Sequence, residues 1–249
     1  MSKKIYCLIK TYTCEEHAKA FIDAGEMYCR TLKKFKEIED ENRGDEFEGT
    51  SHWFQAKEVK ISLTVMNKSD EVLNTINLGE SDLAAPTVFQ PTIFDSFNLF
   101  CMYAIVIEDF AESYSTNDEK QFLKGKINRS ISEQIQIDSR YQDFGDHAVV
   151  IWNVEKFIER VKSHARNNNM KICHGLVEYF DPETFTGSFK CVEAIFRKRK
   201  KYSWQNEFRF ALAVNTETHE HVTIKVGALN EFAFLGPLKD IIERLQIKI

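Results

Sequence analysis

Two residues able to do chemistry, Gln205 and Glu207, stand in the segment KRKKYSWQNEFRFALAV (198–214), among heavy aromatics and behind a run of cations. Side chains alternate across a strand, so a strand over 202–214 sets Ser203, Gln205, Glu207 and Arg209 on one face. Trp204, Asn206, Phe208 and Phe210 take the other, which is large enough to be core. The polar face then looks to solvent or into a cleft. In a cleft, a rigidly held Glu207 could stabilise a developing cation or accept a proton from a hydroxyl, with the Gln205 amide beside it. The plainer expectation is a half-exposed strand carrying a Glu-Arg neighbour pair.

Other constellations compete for attention. Arg197, Lys198, Arg199, Lys200 and Lys201 run directly into Tyr202 and Trp204. Cations beside flat rings suit single-stranded nucleic acid, through phosphate attraction and base stacking of ~1–3 kcal/mol per base. Solvated surface is the ordinary expectation for such a run. Asp40, Arg43, Asp45, Glu46 and Glu48 crowd the segment DENRGDEFEG, where oxygen donors could hold Mg²⁺ or Ca²⁺. Their spacing is not that of an EF-hand, so a solvated acidic loop is expected. A two-metal nuclease would need these carboxylates to meet Glu207 and a lysine in space. His219 and His221 fall on one face of a strand end, expected in solvent; His147 reads as a core histidine, and His52 beside Trp53 as the one cleft candidate. Six scattered cysteines without a CxxC pair exclude a zinc site or a dense disulfide framework, and no metal is expected.

These residues need elements to hold them. KIYCLIKTY (4–12) predicts a strand, CEEHAKAFIDAG (14–25) a helix stopped by Gly25, and EMYCRTLKKF (26–35) a second strand. Residues 36–53 predict a polar loop. Further strands are expected over 57–67, 98–107, 145–153, 172–180, 202–214 and 221–227, with 98–107 apolar enough to be a buried central strand. An amphipathic helix is expected over 154–168 and a closing helix or helix-strand over 238–249. More strand than helix, irregularly alternated, predicts an α+β fold with a mixed or antiparallel sheet and a strand–helix–strand opening. With 20 Phe against 10 Gly and 4 Pro, residues 1–249 are expected to form a single aromatic-rich globular domain.

The net charge of −5 gives no global pull toward nucleic acid or anionic membranes. No apolar run approaches the roughly 18 residues of a membrane span, and MSKKIYCLIK lacks a signal-peptide core. A cytoplasmic protein with reduced thiols is the expectation. A phosphate loop, a GxGxxG after a strand, a GxSxG elbow and an HExxH are all missing, which removes support for nucleotide hydrolase, Rossmann, serine hydrolase and zincin chemistry.

Gln205-Asn206-Glu207 resembles the Q-x-E signature of mono-ADP-ribosyltransferases. The resemblance implies that Glu207 binds the nicotinamide-ribose hydroxyl of NAD and supports an oxocarbenium-like transition state, while Gln205 engages the acceptor. The family's earlier elements are an Arg or His on the first strands, then a Ser-x-Ser or Tyr. Arg30 in MYCRTL and Ser62-Leu63-Thr64 in VKISLTVMN occur in that order, the triplet departing from Ser-Thr-Ser. Arg30 is then an NAD phosphate or ribose contact, Ser62 a second cofactor contact, and Tyr12, Tyr28 and Tyr202 stacking partners. The opening, with MYCRTLKKFKEIED and RGDEFEG, is also similar to uncharacterised bacterial and phage proteins whose N-termini read G.LYF..l..F.D..EG, often found among toxin and phage-defence genes. It looks, too, like the opening of DNA-targeting ADP-ribosyltransferase toxins, in which a polar residue on the first strand meets NAD; Lys10, Thr11 and Tyr12 are the equivalents. The likeness covers residues 1–55 and 195–212. It makes Arg43 and Asp45 loop braces beside an NAD cleft.

Three functions follow, in order. The first is an NAD-dependent mono-ADP-ribosyltransferase-like toxin or phage-defence effector, with NAD as substrate and no metal. Its acceptor would be a nucleic acid or a protein; an antitoxin or regulatory protein is a further implied partner, and a membrane is not. The alternative is a non-catalytic nucleic-acid- or protein-binding module that uses the strip 196–204, with Arg197, Lys198, Arg199, Lys200, Lys201 and Trp204 as contacts. The third is a metal-dependent nuclease built on the acidic loop. All three turn on whether Arg30, the acidic loop and Glu207 converge.

Overall fold

The computed structural model of the chain describes residues 3–40, 44–108, 116–135, 139–214 and 221–245. Its opening is β1 (Lys3–Tyr12), α1 (Glu15–Ala24), β2 (Glu26–Thr31) and α2 (Leu32–Lys36). Gly25 ends α1 in the left-handed conformation, φ 62°, where its N–H donates to the Phe21 carbonyl. The expected strand over 26–35 stops at Thr31, because that hydroxyl accepts the Lys34 N–H and caps a helical turn instead. There follow β3 (His52–Phe54), β4 (Ile61–Met66), β5 (Val72–Leu78), β6 (Thr87–Phe89), β7 (Asn98–Glu108), α3 (Asn117–Ile135), β8 (His147–Ile151) and α4 (Val154–Asn167). The chain then runs through β9 (Lys171–Leu176), β10 (Glu178–Phe180), β11 (Gly187–Ser188), β12 (Arg197–Arg199), β13 (Glu207–Ala213), β14 (His221–Lys225), β15 (Ala233–Pro237) and α5 (Leu238–Arg244).

The fold is α+β, as the irregular alternation of elements implied, and the main sheet is antiparallel throughout. Its strands run in the order β14-β2-β7-β1-β8-β15, with β13 and then β9 branching from β7. Strand β7 is the hub. Its alternation buries Phe100, Met102 and Ala104 on one face and Tyr103 and Ile105 on the other. Helices α1 and α4 cover the first face through Phe21, Phe157 and Val161, with Phe157 edge-on to Phe210 of β13. Helices α3 and α5 cover the second through Ile127, Ile131, Leu238 and Ile241. Helix α3 has no counterpart among the elements expected from the sequence: of its described residues only Ile127 and Ile131 are buried, too few to register as a helical stripe.

A further strand prediction, over 202–214, needs correction, and the site depends on it. Residues 202–214 are not a single strand: Lys200–Gln205 form a 3-10 turn and Asn206 is left-handed at φ 38°, so β13 starts at Glu207. Tyr202 drives the turn by burying its ring and donating its hydroxyl to the Gly44 carbonyl at 2.6 Å. Ser203, Gln205, Glu207 and Arg209 therefore do not share one strand face; only Glu207 and Arg209 do.

The end of β1 is held by Gly145, which packs its Cα against the Tyr12 carbonyl with φ +131°. A Cβ there would lie 2.2 Å from that carbonyl. Gly145→Ala is expected to lower unfolding free energy by more than the 1–3 kcal/mol of the backbone strain alone, read as a lower urea midpoint at unchanged m-value.

Candidate active site

The sheet is split, and a cavity occupies the split. Strand β1 pairs with β7 only as far as Ile9 opposite Tyr103, whereas β2 pairs with the same edge of β7 only at Arg30 opposite Leu99 and Thr31 opposite Asn98. Between them the β7 edge at Phe100–Met102 faces neither strand, while β13 pairs along the opposite edge from Asn98 to Tyr103. Beyond Ile9, β1 follows β8 instead. The Lys10 ammonium reaches across the opening and donates to the Cys101 carbonyl at 2.9 Å, satisfying a backbone acceptor that the split would otherwise strand.

The resulting cavity measures about 540 Å³ and brings together residues far apart in the chain: Lys10, Tyr12, Tyr28, Arg30, Gln205 and Glu207. Phe35, Leu99, Met102 and Phe144 add apolar wall. Arg30 and Tyr28 are exposed, and the Tyr28 ring packs on His221 of β14 at 4.7 Å. The buried Tyr12 hydroxyl has no hydrogen-bond partner among the described residues. Burial pulls the Lys10 ammonium below its ordinary pKa, against the opposing pull of nearby groups that include Glu207.

Behind the cavity lies a closed ring of four buried charges. Glu207 meets the Arg209 Nε at 2.7 Å and the Lys198 Nζ at 3.1 Å. Glu48 meets the same Lys198 at 2.8 Å and the Arg209 guanidinium at 3.2 Å. Each carboxylate oxygen of Glu48 thus faces a cation at ion-pair distance, though without hydrogen-bond alignment. The side chains of Glu48 and Arg209 are fully buried, and that of Lys198 is 3% exposed. Lys198 also donates to Gln205 Oε1 at 2.7 Å, which fixes the amide beside Glu207. The Tyr179 hydroxyl accepts the Glu207 N–H, and the Cys101 thiol hydrogen-bonds the Glu207 carboxylate. Burial pushes the Glu207 carboxyl upward, but Arg209 and Lys198 outweigh it and hold it well below the usual carboxylate range. The same two carboxylates overcome burial at Lys198 and raise its ammonium above the ordinary lysine value. Glu207 is therefore ionised at neutral pH and suited to stabilising positive charge rather than to shuttling a proton.

The acidic loop and the basic run, each expected to be solvated, are largely one another's partners. Asp45 is buried and accepts from the Arg199 Nε at 2.9 Å and from the Phe47 N–H at 3.1 Å, while the Arg199 guanidinium lies 4.4 Å from the Phe47 ring. Asp45 thus fastens the loop to Arg199, while Arg43 lies outside the described residues. Arg197 pairs with Glu178 and Lys200 with Asp181. Lys201 is exposed over the Tyr202 ring, and Trp204 packs on Phe144 with the Arg140 guanidinium over its face. Lys198, being buried, is withdrawn from the strip assigned to nucleic acid, and Arg197 and Arg199 face carboxylates rather than a phosphate track.

Of the residues assigned to NAD, Tyr12, Tyr28 and Arg30 line the cavity and two do not. Ser62 lies on the exposed β4–β5 hairpin, where it donates to Asn77. Tyr202 is committed to Gly44. Glu48 and Glu207 do meet a lysine, as the nuclease reading required. All four of their oxygens already face Lys198 or Arg209, however, so two carboxylates balance two cations and leave no charge for a divalent ion. Among the described residues no group of three metal-ligating side chains occurs. His219 lies outside the described residues, and His52 contacts Ser51 outside the cavity. Sequence reasoning missed Glu48 as a member of the site. The available signal was an excess of carboxylates in one segment matched by an excess of cations in another.

Comparison of the chain with known protein families, with curated proteins and with solved structures finds no match. Among the described residues no helix is long and apolar enough to cross a membrane.

Removing one member of a buried ion ring strands the others. Lys198→Met is expected to cost ~3–5 kcal/mol in urea unfolding, because Glu48 and Glu207 lose a shared cation. In the wild type, the folded-state depression of the Glu207 carboxyl below its ordinary 4.5 gives stability that is fully present above that pH and lost as pH falls below it. Urea midpoints measured from pH 7 down to pH 3 are expected to fall below pH 4.5, and to fall less steeply in Glu207→Gln.

Proposed function

We propose that the chain is an NAD-dependent ADP-ribosyltransferase-like enzyme whose site is the cavity in the split sheet. One observation carries the reading: Lys10 and Tyr12 of β1, Tyr28 and Arg30 of β2, Gln205 at the end of the 3-10 turn and Glu207 at the start of β13 converge on a single cavity. Its size and aromatic walls suit a nicotinamide ring, and Lys10 and Arg30 suit a pyrophosphate. Glu207, ionised and rigidly held, supplies negative charge where an oxocarbenium ion develops.

The chemistry is a substitution at the nicotinamide ribose. The C1′–N bond breaks, and nicotinamide leaves as a neutral ring with the bonding electrons. Positive charge spreads over C1′ and the ring oxygen, where Glu207 opposes it. An acceptor nitrogen or oxygen then bonds C1′ and releases its proton to solvent. The Gln205 amide, oriented by Lys198, directs the acceptor. The acceptor is a nucleic acid or a protein, and the label transferred from NAD identifies which.

Purified protein given NAD and nucleic acid or lysate acceptors is expected to release nicotinamide. Glu207→Gln is expected to lower kcat by about 10²–10³-fold while far-UV CD shows a retained fold. Tyr12→Phe is expected to weaken NAD binding several-fold without loss of stability, since its hydroxyl has no partner to lose among the described residues. No turnover with any acceptor, together with no thermal shift on adding NAD, sinks the assignment.

A further inference from the structure

The ring holds two cations on one catalytic carboxylate, and that arrangement has an electrostatic cost. Lys198 and Arg209 together carry two positive charges within 3.1 Å of Glu207. Alone, this trio would present a net positive charge to a cavity in which a cation is meant to form. Glu48 removes the excess. It comes from a different segment, is fully buried, and touches both cations but is not among the residues lining the cavity. The loop that carries it is anchored by contacts independent of the ring: Asp45 on Arg199 and the Gly44 carbonyl on the Tyr202 hydroxyl.

We propose that Glu48 is the charge-balancing positioning residue of this site: it neutralises the second cation of the ring, so that Glu207 is gripped from behind yet shows its full negative charge to the cavity. The proposal rests on the reading of Glu207 as the group that opposes positive charge in the cavity. Glu48 touches no substrate and acts through Lys198 and Arg209 alone. Lys10 is a built-in reporter of the potential. It lies in the same cavity, and Glu207 is one of the charges that support its ammonium form, beside the neutral thiol of Cys101 across the split.

The test compares wild type with Glu48→Gln, Glu48→Asp and the double variant Glu48→Gln/Lys198→Gln, which restores neutrality with one carboxylate and one cation. In NAD turnover, Glu48→Gln is expected to lower kcat about ten-fold or more with KM for NAD within about two-fold, because ground-state NAD carries less charge at C1′ than the transition state. Glu48→Asp is expected to keep most of the rate, and the double variant to recover most of the loss. In parallel, ¹³Cε-lysine NMR reads the Lys10 titration: its pKa is expected to fall in Glu48→Gln and to return in the double variant. A purely structural role predicts the opposite pattern, a double variant worse than either single and a Lys10 titration that stays put; that result overturns the proposal. If wild type turns over no NAD, the functional assignment fails by itself, and the Lys10 titration still decides the charge balance. If Glu48→Gln does not fold, the decision falls to Lys198→Gln beside the double variant: the Lys10 pKa is expected to rise in Lys198→Gln, where a cation of the ring is lost, and to return in the double variant, and a Lys10 titration that stays put in both overturns the proposal.

Discussion

Burying a charge in protein is tolerable only when an opposite charge meets it, and this chain buries four together. Glu48, Lys198, Glu207 and Arg209 alternate in sign around a ring, so no member can be withdrawn without stranding its neighbours. The consequence for the fold is connectivity. A turn near residue 48 and a strand that begins at residue 207 are pinned together, and the segment between Arg197 and Asn206 must fold back to deliver Lys198 to both. Tyr202 and Arg199 fasten the same fold-back from outside the ring, on Gly44 and Asp45. The site's acidic and basic residues are thereby placed by one electrostatic closure rather than by separate local preferences.

The second constraint is the divided edge of β7. Antiparallel pairing satisfies backbone groups two strands at a time, and a strand edge left unpaired inside a protein must find other partners. Here β1 and β2 share that edge and diverge, and the gap they leave is useful space. Lys10 meets the carbonyl of Cys101 within it. Asn206, in its left-handed turn, performs the matching service on the opposite edge by accepting the Ala104 N–H on its own carbonyl and donating its side-chain amide to the Ala104 carbonyl. Strand β13 then starts one residue later, directly opposite Tyr103, which is why Glu207 arrives beside the open Phe100–Met102 part of β7 rather than elsewhere along it.

The frame of the molecule was legible because it rests on local rules. Period-two alternation located β1, short apolar runs located β7 and β8, a wide apolar stripe located α4, and Gly25 marked the end of α1. Of the aromatic face expected to be core, Phe208 and Phe210 of β13 are buried, whereas Trp204 lies in the preceding turn and packs on Phe144. What escaped was everything that depends on distant segments meeting. Alternation assigned Gln205 and Glu207 to one strand face, but the turn at Lys200–Gln205 exists to bury Tyr202 against a loop more than a hundred residues away, and no local pattern announces that. The same holds for the charges. Taken separately, an acidic loop and a basic run each read as solvated surface; only together do they read as a buried pair. Ser62 failed for the reverse reason: its triplet matched in order along the chain, yet β4 and β5 pair only with each other among the described residues.

Stability alone gives little reason for such a ring. An apolar quartet of similar volume would fill the same space without desolvating two carboxylates and two cations, and buried ion pairs are seldom a net gain over that alternative. A sequence that departs from the easier solution does so most often where a site requires it. The departure here is confined to the wall of the cavity: Glu207, Gln205 and Lys198 line it, while Arg209 and Glu48 stand behind. The charges are also graded in their freedom. Arg30, at the mouth, is exposed; Lys10, in the split, is half-buried and pulled toward neutrality by burial; Glu207, at the wall, is held ionised. A scaffold that needed only to stay folded would have no use for that gradient. A site that receives an anionic phosphate group at its mouth and generates positive charge at its wall would need both ends of it.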